Sequence, residues 1–356
     1  MKKKVVLGMS GGVDSSVAAL LLQEQGYEVA GYFMNCGVGG GRWPTSINWR
    51  EDEKILRKVC RKLGIRLSVA DCEIGYEKKI IAPLFRDYER GLTPNPDTLC
   101  NNVGKFPHLI KKANEIGADF IATGHYALVR DEKLYCGRDK MKDQSYFICG
   151  LNKKILKRCL FPLGDLTKRE VREIAKKNGF DNFDKRSSRG ICYLGKIDMK
   201  KFLRERIKEK KGDIVNSNGE VIGEHPGIMF FTIGEKIGEG KGTTLNRIGR
   251  KKYSRKKLFV AEKERGNKLV VAVSGSVELK TGDVKLVKFK LIDKNEKVNN
   301  KRFNGRIRHL GKFHAGKLKK KAGWIFIFDK GVEGVAPGQI LVLYDGQRVV
   351  GCGEMR

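Results

Sequence analysis

The stretch Val5–Gly26, VVLGMSGGVDSSVAALLLQEQG, constrains the fold more than any other. A short apolar strand, Val5, Val6 and Leu7, breaks at a glycine-rich turn and runs directly into a helix with an apolar face. Gly8, Gly11 and Gly12 carry no Cβ, so the chain can turn sharply and present its N–H groups. Ser10, Ser15 and Ser16 add hydroxyls. The helix beginning near Asp14 aims its N-terminus, the end that favours an anion, at the same space. The turn reads as a phosphate cradle. No lysine follows the glycines as in G-x-x-x-x-G-K-[ST], and G-x-G-x-x-G is also absent. A cradle without that lysine suits pyrophosphate leaving an adenylate better than γ-phosphate transfer.

Short strands and amphipathic helices alternate from Met1 to about Arg204. YEVAGYFM, IRLSVADC and ADFIATGHYALV read as strands. EDEKILRKVCRKLG, FPHLIKKANEIG and GDLTKREVREIAKKNGF read as helices, the last with Thr167 as N-cap, Glu170 completing a capping box and Gly179 as stop. This alternation predicts an α/β, doubly wound parallel sheet with ligands at its strand C-termini. The basic segment KKFLRERIKEKKGDIV marks a change of character, and strands and turns follow. Hairpin turns are predicted at Asn218-Gly219 and Asp345-Gly346, and two strands around a Pro-Gly turn in WIFIFDKGVEGVAPGQILVLYDG. The expected division is a catalytic domain over 1–205, a small middle module over 206–275 and an all-β module over 276–356.

The 356 residues include 73 Lys and Arg against 41 Asp and Glu, a net charge of +32. Such a surplus points to a polyanion, with nucleic acid as the leading partner. No apolar run reaches the ~18 residues a membrane helix needs. The apolar run after MKKK is too short for a signal peptide. Nine cysteines, an odd number with no C-x-x-C, argue against a disulfide framework or a structural metal site. A cytoplasmic chain with mostly reduced thiols is expected.

Most cysteines read as buried or strand-end residues. Two differ. Cys100 lies in GLTPNPDTLCNN, where two prolines stiffen the loop. Asp97 is placed to N-cap a short helix, which would put Cys100 in its first turn, where a thiolate is favoured. Cys192 lies in DKRSSRGICYLG beside Arg186, Arg189 and Gly190, again a thiolate-favouring setting. They are 92 residues apart (192 − 100), and spacing alone does not bring them together.

GMSGGVDSS, TPNPDTLCN, ATGHYA, KDQSYF, FPLGDLTKREVREIA, RGICYLG and GVAPGQ occur in this order along nearly the whole chain. In these motifs the sequence closely resembles the tRNA-specific 2-thiouridylases, a branch of the pyrophosphatase-loop ATPases. The resemblance implies an adenine nucleotide α-hydrolase-like first domain, a central tRNA-binding module and a C-terminal β-barrel. It implies that ATP, with Mg²⁺, adenylates the C2 oxygen of a tRNA wobble uridine, and that sulfur follows from an enzyme persulfide. The persulfide cysteine corresponds to Cys192, the nucleophile to Cys100, and the two can form an alternate disulfide. A relay protein or cysteine desulfurase would be the sulfur donor. Gly8, Met9, Ser10, Gly11, Gly12, Val13, Asp14 and Ser15 would wrap the ATP phosphates, with Met34 and Gly124 against the nucleotide. Asn95, Pro96 and Asp97 match the segment facing the target base, and Asp97 is an acid/base candidate or a helix cap. His125, Lys142, Asp143, Gln144, Arg306, Ile307 and Gln339 match tRNA-contacting positions. The alternatives are another pyrophosphatase-loop tRNA-modifying enzyme, of the 4-thiouridine type, and a non-catalytic basic tRNA-binding protein. KRSSRGIC departs from the family's K-D-S-T-G-I-C by losing an acid and gaining Arg189, GEKIGEGKGTT is only loosely like the family's glycine-rich segment, and the loop NCGVGGGRWPTSINWR carries no assigned role.

Overall fold

The computed structural model describes residues 2–36, 47–185, 190–240, 242–264 and 266–356. The chain opens with β1 (Lys4–Met9), α1 (Val13–Glu24), β2 (Glu28–Asn35), α2 (Trp49–Leu63) and β3 (Arg66–Asp71). Next come α3 (Glu73–Tyr76), α4 (Ala82–Glu89), α5 (Pro96–Leu99), α6 (Phe106–Glu115) and β4 (Phe120–Thr123). A hairpin of β5 (Ala127–Arg130) and β6 (Lys133–Cys136) precedes α7 (Lys153–Leu156), β7 (Cys159–Leu160) and α8 (Lys168–Lys177). Five strands form one parallel sheet in the order β3-β2-β1-β4-β7.

The period-2 alternation of β1 divides its side chains between two layers. Val5 and Leu7 pack with Val17, Leu22, Leu56 and Val171 of α1, α2 and α8, whereas Val6 packs with Phe106 and Leu109 of α6. All are at most 1% exposed, which is worth about 1.5–3 kcal/mol for each large side chain. The capping box on α8 forms as expected: the Thr167 hydroxyl caps the Glu170 N–H, and the Glu170 carboxylate accepts from the Thr167 N–H. The doubly wound reading therefore holds.

ADFIATGHYALV is not one strand. It breaks at Gly124 and His125, so β4 stays in the parallel sheet while β5 leaves it. The β5–β6 hairpin instead pairs with Arg348–Met355, through Arg348↔Tyr135 and Val349↔Leu134. A local pattern cannot specify which sheet a strand joins.

The middle region forms a six-stranded sheet, with Leu258–Glu264, Lys268–Val273, Gly212–Asn216 and Val221–His225 as its central run. The last region is a closed barrel. Lys280–Leu291 pairs with Trp324–Glu333 on one side and Arg348–Met355 on the other, and closure removes the open edges. Both predicted hairpins form. Trp324–Glu333 and Ile340–Asp345 are strands as expected, but they pair with other partners rather than with each other. Among the described residues, no helix is long and apolar enough to cross a membrane.

Candidate active site

The turn between β1 and α1 is held in shape by its own hydroxyls. Ser15 Oγ donates to the Gly12 carbonyl at 3.0 Å and accepts from the Ser10 N–H at 3.2 Å. Asn182 Nδ2 donates to the Gly11 carbonyl and to Ser16 Oγ, both at 3.1 Å. Gly11 has φ +72°, and a Cβ there would lie 2.5 Å from the Asp52 carbonyl oxygen, so only glycine fits. Gly124 closes the opposite wall, where a Cβ would meet the Asp14 carbonyl carbon at 3.0 Å.

Two residues at this loop escaped the sequence reading. The Asp14 carboxylate accepts from the Tyr126 hydroxyl at 2.7 Å and from Lys168 Nζ at 2.5 Å. The Lys168 side chain is 12% exposed, and burial lowers its pKa against the pull of Asp14. The cation missing after the glycines thus comes from the first turn of α8, more than 150 residues away. Its only trace in the sequence is that absence.

The second half of the site is built on the helical run from Pro96 to Glu115. Asn95, not Asp97, caps it: Asn95 Oδ1 accepts the Thr98 N–H at 3.0 Å, and Pro96 takes the first helical position. A π turn over Cys100–Lys105 links α5 to α6, and Cys100 begins it. Asp97 is released from capping and accepts the Cys192 N–H at 2.8 Å. Burial raises the Asp97 pKa, ahead of the opposing pull of that N–H and of Lys105.

The fold brings Cys100 and Cys192 together, close enough for their side chains to interact. Cys192 is lowered first by the hydrogen bond from Cys100, then, against burial, by Lys105. Cys100, 1% exposed, is held well above the ordinary thiol value by donating to Cys192 and by burial. The thiolate is therefore favoured at Cys192 over Cys100. Arg186 and Arg189 lie outside the described residues. The described cation at this pair is Lys105. Burial opposes its charge, but Cys192, Cys100 and Asp97 together keep its pKa raised. The Tyr76 hydroxyl donates to the Cys192 carbonyl, and Cys100 lines a cleft together with Met34, Lys105 and Tyr193.

The remaining candidate residues tie the domains together. Gln339 of the barrel donates to the Thr93 and Pro94 carbonyls at 2.9 and 3.3 Å and accepts from Asn95 Nδ2 at 3.4 Å. Gln144 Oε1 accepts the Tyr126 N–H at 3.1 Å. Asp143 and Arg306 form a buried ion pair at 2.8 Å, and Ile307 beside it is 3% exposed. Lys142 is partly exposed at the same junction. His125 is buried against Phe106, with Nδ1 2.6 Å from Thr123 Oγ1, and burial lowers its pKa well below the ordinary imidazole value. Thr98 Oγ1 and the side-chain oxygens of Asn101 and Asn102 are buried without a partner close to Cys100.

Three family profiles match consecutive parts of the chain. They are described as a tRNA methyl transferase HUP domain over 3–196, a tRNA methyl transferase PRC-barrel domain over 200–274 and an aminomethyltransferase beta-barrel domain over 281–355. The chain is 36% identical to the tRNA-specific 2-thiouridylase MnmA of Karelsulcia muelleri (strain GWSS), over 99% of this chain and 98% of that one. It is 37% identical to the protein of that name from Malacoplasma penetrans (strain HF-2), over 99% and 98%. It is 36% identical to the one from Pseudomonas fluorescens (strain SBW25), over 99% and 94%.

Proposed function

The chain belongs to the tRNA-specific 2-thiouridylase family, and from that premise we propose how its own residues carry out tRNA 2-thiolation. The observation that carries the proposal is the junction of Asp97, Cys100 and Cys192, with Cys100 and Lys105 on a cleft shared with Met34. The profile descriptions name methyl transfer, but two adjacent cysteines, one with its pKa lowered, suit sulfur transfer.

The donors at the loop suit a triphosphate. The α1 N-terminus and the Gly8–Ser15 turn offer N–H groups, Asp14 offers a carboxylate for phosphate-bound Mg²⁺, and Lys168 offers a charge that can pass from Asp14 to phosphate. The wobble uridine enters between Asn95–Asp97 and the cysteine pair, turned out of its stack. Its C2 oxygen attacks the α-phosphorus and pyrophosphate leaves. The terminal sulfur of a Cys192 persulfide, loaded by a persulfide donor, then attacks C2 and AMP departs. Cys100, after losing its proton to Asp97, attacks the Cys192 sulfur and breaks the S–S bond. The uridine keeps sulfur at C2, and Cys100 and Cys192 are left as a disulfide. Prior release of sulfide by Cys100 leaves the same disulfide. Lys142, Gln144 and the surplus of +32 supply the tRNA-facing charge and polarity, and a cytoplasmic setting fits this chemistry.

The test is nucleoside analysis. Unmodified tRNA with a wobble uridine is incubated with the protein, ATP, Mg²⁺ and a persulfide-generating donor, then digested and analysed by mass. ATP-dependent 2-thiouridine is expected. Pyrophosphate without thiouridine would mean the nucleophile is misassigned, and tRNA binding with neither product would mean the chain only binds.

A further inference from the structure

The disulfide left by that chemistry has a neighbour that the mechanism does not use. β2 and β3 end side by side: Asn35 pairs with Asp71, and the Cys72 N–H donates to the Asn35 carbonyl at 2.7 Å. Cys36 and Cys72 are the residues that follow. Parallel neighbours lie about 4.8 Å apart, inside the ~4.4–6.8 Å Cα spacing a disulfide spans. Each is 6% exposed, and their side chains lie close enough to interact. Cys72 Sγ lies 3.7 Å from His108 Nδ1, and the Tyr193 hydroxyl, next to Cys192, reaches the Cys36 thiol. Cys36, Cys72 and Cys100 line one cleft.

This second pair has the same asymmetry as the first. The hydrogen bond from Cys36 lowers Cys72, and the same bond, with burial, raises Cys36. Burial and two nearby lysines, Lys79 and Lys111, lower His108, leaving it neutral and able to accept a proton. Ordinary core packing explains the burial of two cysteines. It does not explain a histidine against one thiol, nor a second cysteine pair on the cleft that Cys100 lines.

We propose that Cys36 and Cys72 form a second redox dithiol, which takes over the disulfide left on Cys100 and Cys192. This rests on the sulfur-transfer reading above. Cys36 sulfur attacks Cys192 Sγ, the Cys100–Cys192 bond breaks, and Cys100 takes up the proton that Cys36 loses. The Cys72 thiolate then attacks Cys36, the Cys36–Cys192 bond breaks, and Cys192 leaves as thiolate. Two electrons pass to the catalytic pair, which returns to one thiol and one thiolate. The low pKa of Cys192 makes it a good leaving group. A soluble dithiol reductant then opens the Cys36–Cys72 bond.

The full-length reduced protein is treated with one molar equivalent of diamide, quenched with N-ethylmaleimide in acid, digested and mapped for linked peptides. The expected majority product has Cys36 linked to Cys72, with Cys100 and Cys192 alkylated. In Cys36→Ser the link stays on Cys100–Cys192. In Cys72→Ser, which lacks the resolving thiolate, a Cys36–Cys192 peptide accumulates. A wild-type link confined to Cys100–Cys192, or a Cys72→Ser protein without the mixed disulfide, would overturn the relay. Thiouridine formation in the same wild-type preparation is read separately, so failure of the sulfur-transfer reading stays distinct from failure of the relay.

Discussion

Replacing Arg306 with methionine would test whether the junction between the first domain and the barrel is built for cohesion or for RNA. Arg306 Nη1 lies 2.8 Å from Asp143 Oδ2, and the side chains are 10% and 3% exposed. The guanidinium sits 4.1 Å from the Phe313 ring centroid and 5.3 Å from that of Tyr344. Methionine keeps the apolar stem but removes the charge. Asp143 then retains the Gly137 and Ser145 N–H donors, both at 3.1 Å, and the Cys136 thiol beside it. At an effective dielectric near 20, unit charges about 4 Å apart attract by about 4 kcal/mol. Breaking a buried pair typically costs about 3–5 kcal/mol. The two retained N–H bonds put the expected loss at the low end, about 3 kcal/mol, a fall in melting midpoint of about 6–12 °C for a unit of ~150–250 residues. Asp143→Asn should destabilise in the same direction, and the double variant should lose less than the sum, with a coupling of about 1–3 kcal/mol. Scanning calorimetry reads the midpoints, and tRNA titration at several salt concentrations reads phosphate contacts. A midpoint within about 1 °C of wild type, with a salt slope reduced by about 1, would refute the reasoning and make Arg306 a phosphate contact.

Cys100→Ala removes the hydrogen bond that first favours the Cys192 thiolate, so the midpoint of the pH profile for Cys192 alkylation should move to higher pH; Lys105→Met should move it the same way, and an unmoved profile in both would contradict the assignment of thiolate and donor. Lys168→Met should slow tRNA-dependent pyrophosphate release about 10–100-fold, the equivalent of a charge-assisted contact of about 1.5–3 kcal/mol; a rate within twofold of wild type would leave Lys168 as a mere partner of Asp14. Cys192→Ser should abolish thiouridine yet retain pyrophosphate release, and loss of both would mean that activation and sulfur transfer are not separable. Glu170, bonded first by Arg138 and then by Thr167, has its pKa lowered from 4.5 to about 2. Its support of α8 is complete above pH 4.5 and lost as pH falls towards 2, so Glu170→Gln should flatten the acid side of the stability profile only in that window. An unchanged acid limb would rule this out.

Local patterns were legible wherever a residue's neighbours in sequence are its neighbours in space. The cradle at Gly8–Ser15, the capping box at Thr167 and Glu170, and the hairpins at Asn218-Gly219 and Asp345-Gly346 are all such cases. The cap at Asp97 was misplaced by two residues because Asn95 and Asp97 both carry a side-chain oxygen that can cap. Which of them turns outwards depends on where Cys192 presents its N–H. The thiolate was expected on both cysteines, since a helix N-terminus and nearby cations were the visible terms. What spacing could not show was the contact between the two sulfurs, which favours the thiolate at Cys192 over Cys100.

The sequence by itself determined the parallel α/β frame and the glycine-rich turn and singled out Cys100 and Cys192, because strand period, glycine freedom and helix polarity act over a few residues. Only the tertiary structure decided that Lys168 supplies the cation the loop lacks and that Lys105 charges the cysteine pair. It also decided that the β5–β6 hairpin belongs to the barrel sheet, and that Cys36 and Cys72 share a cleft with Cys100. Those facts depend on which strand ends and helix faces meet across tens to hundreds of residues. That meeting is set by the packing of whole layers, and no short window of sequence contains it.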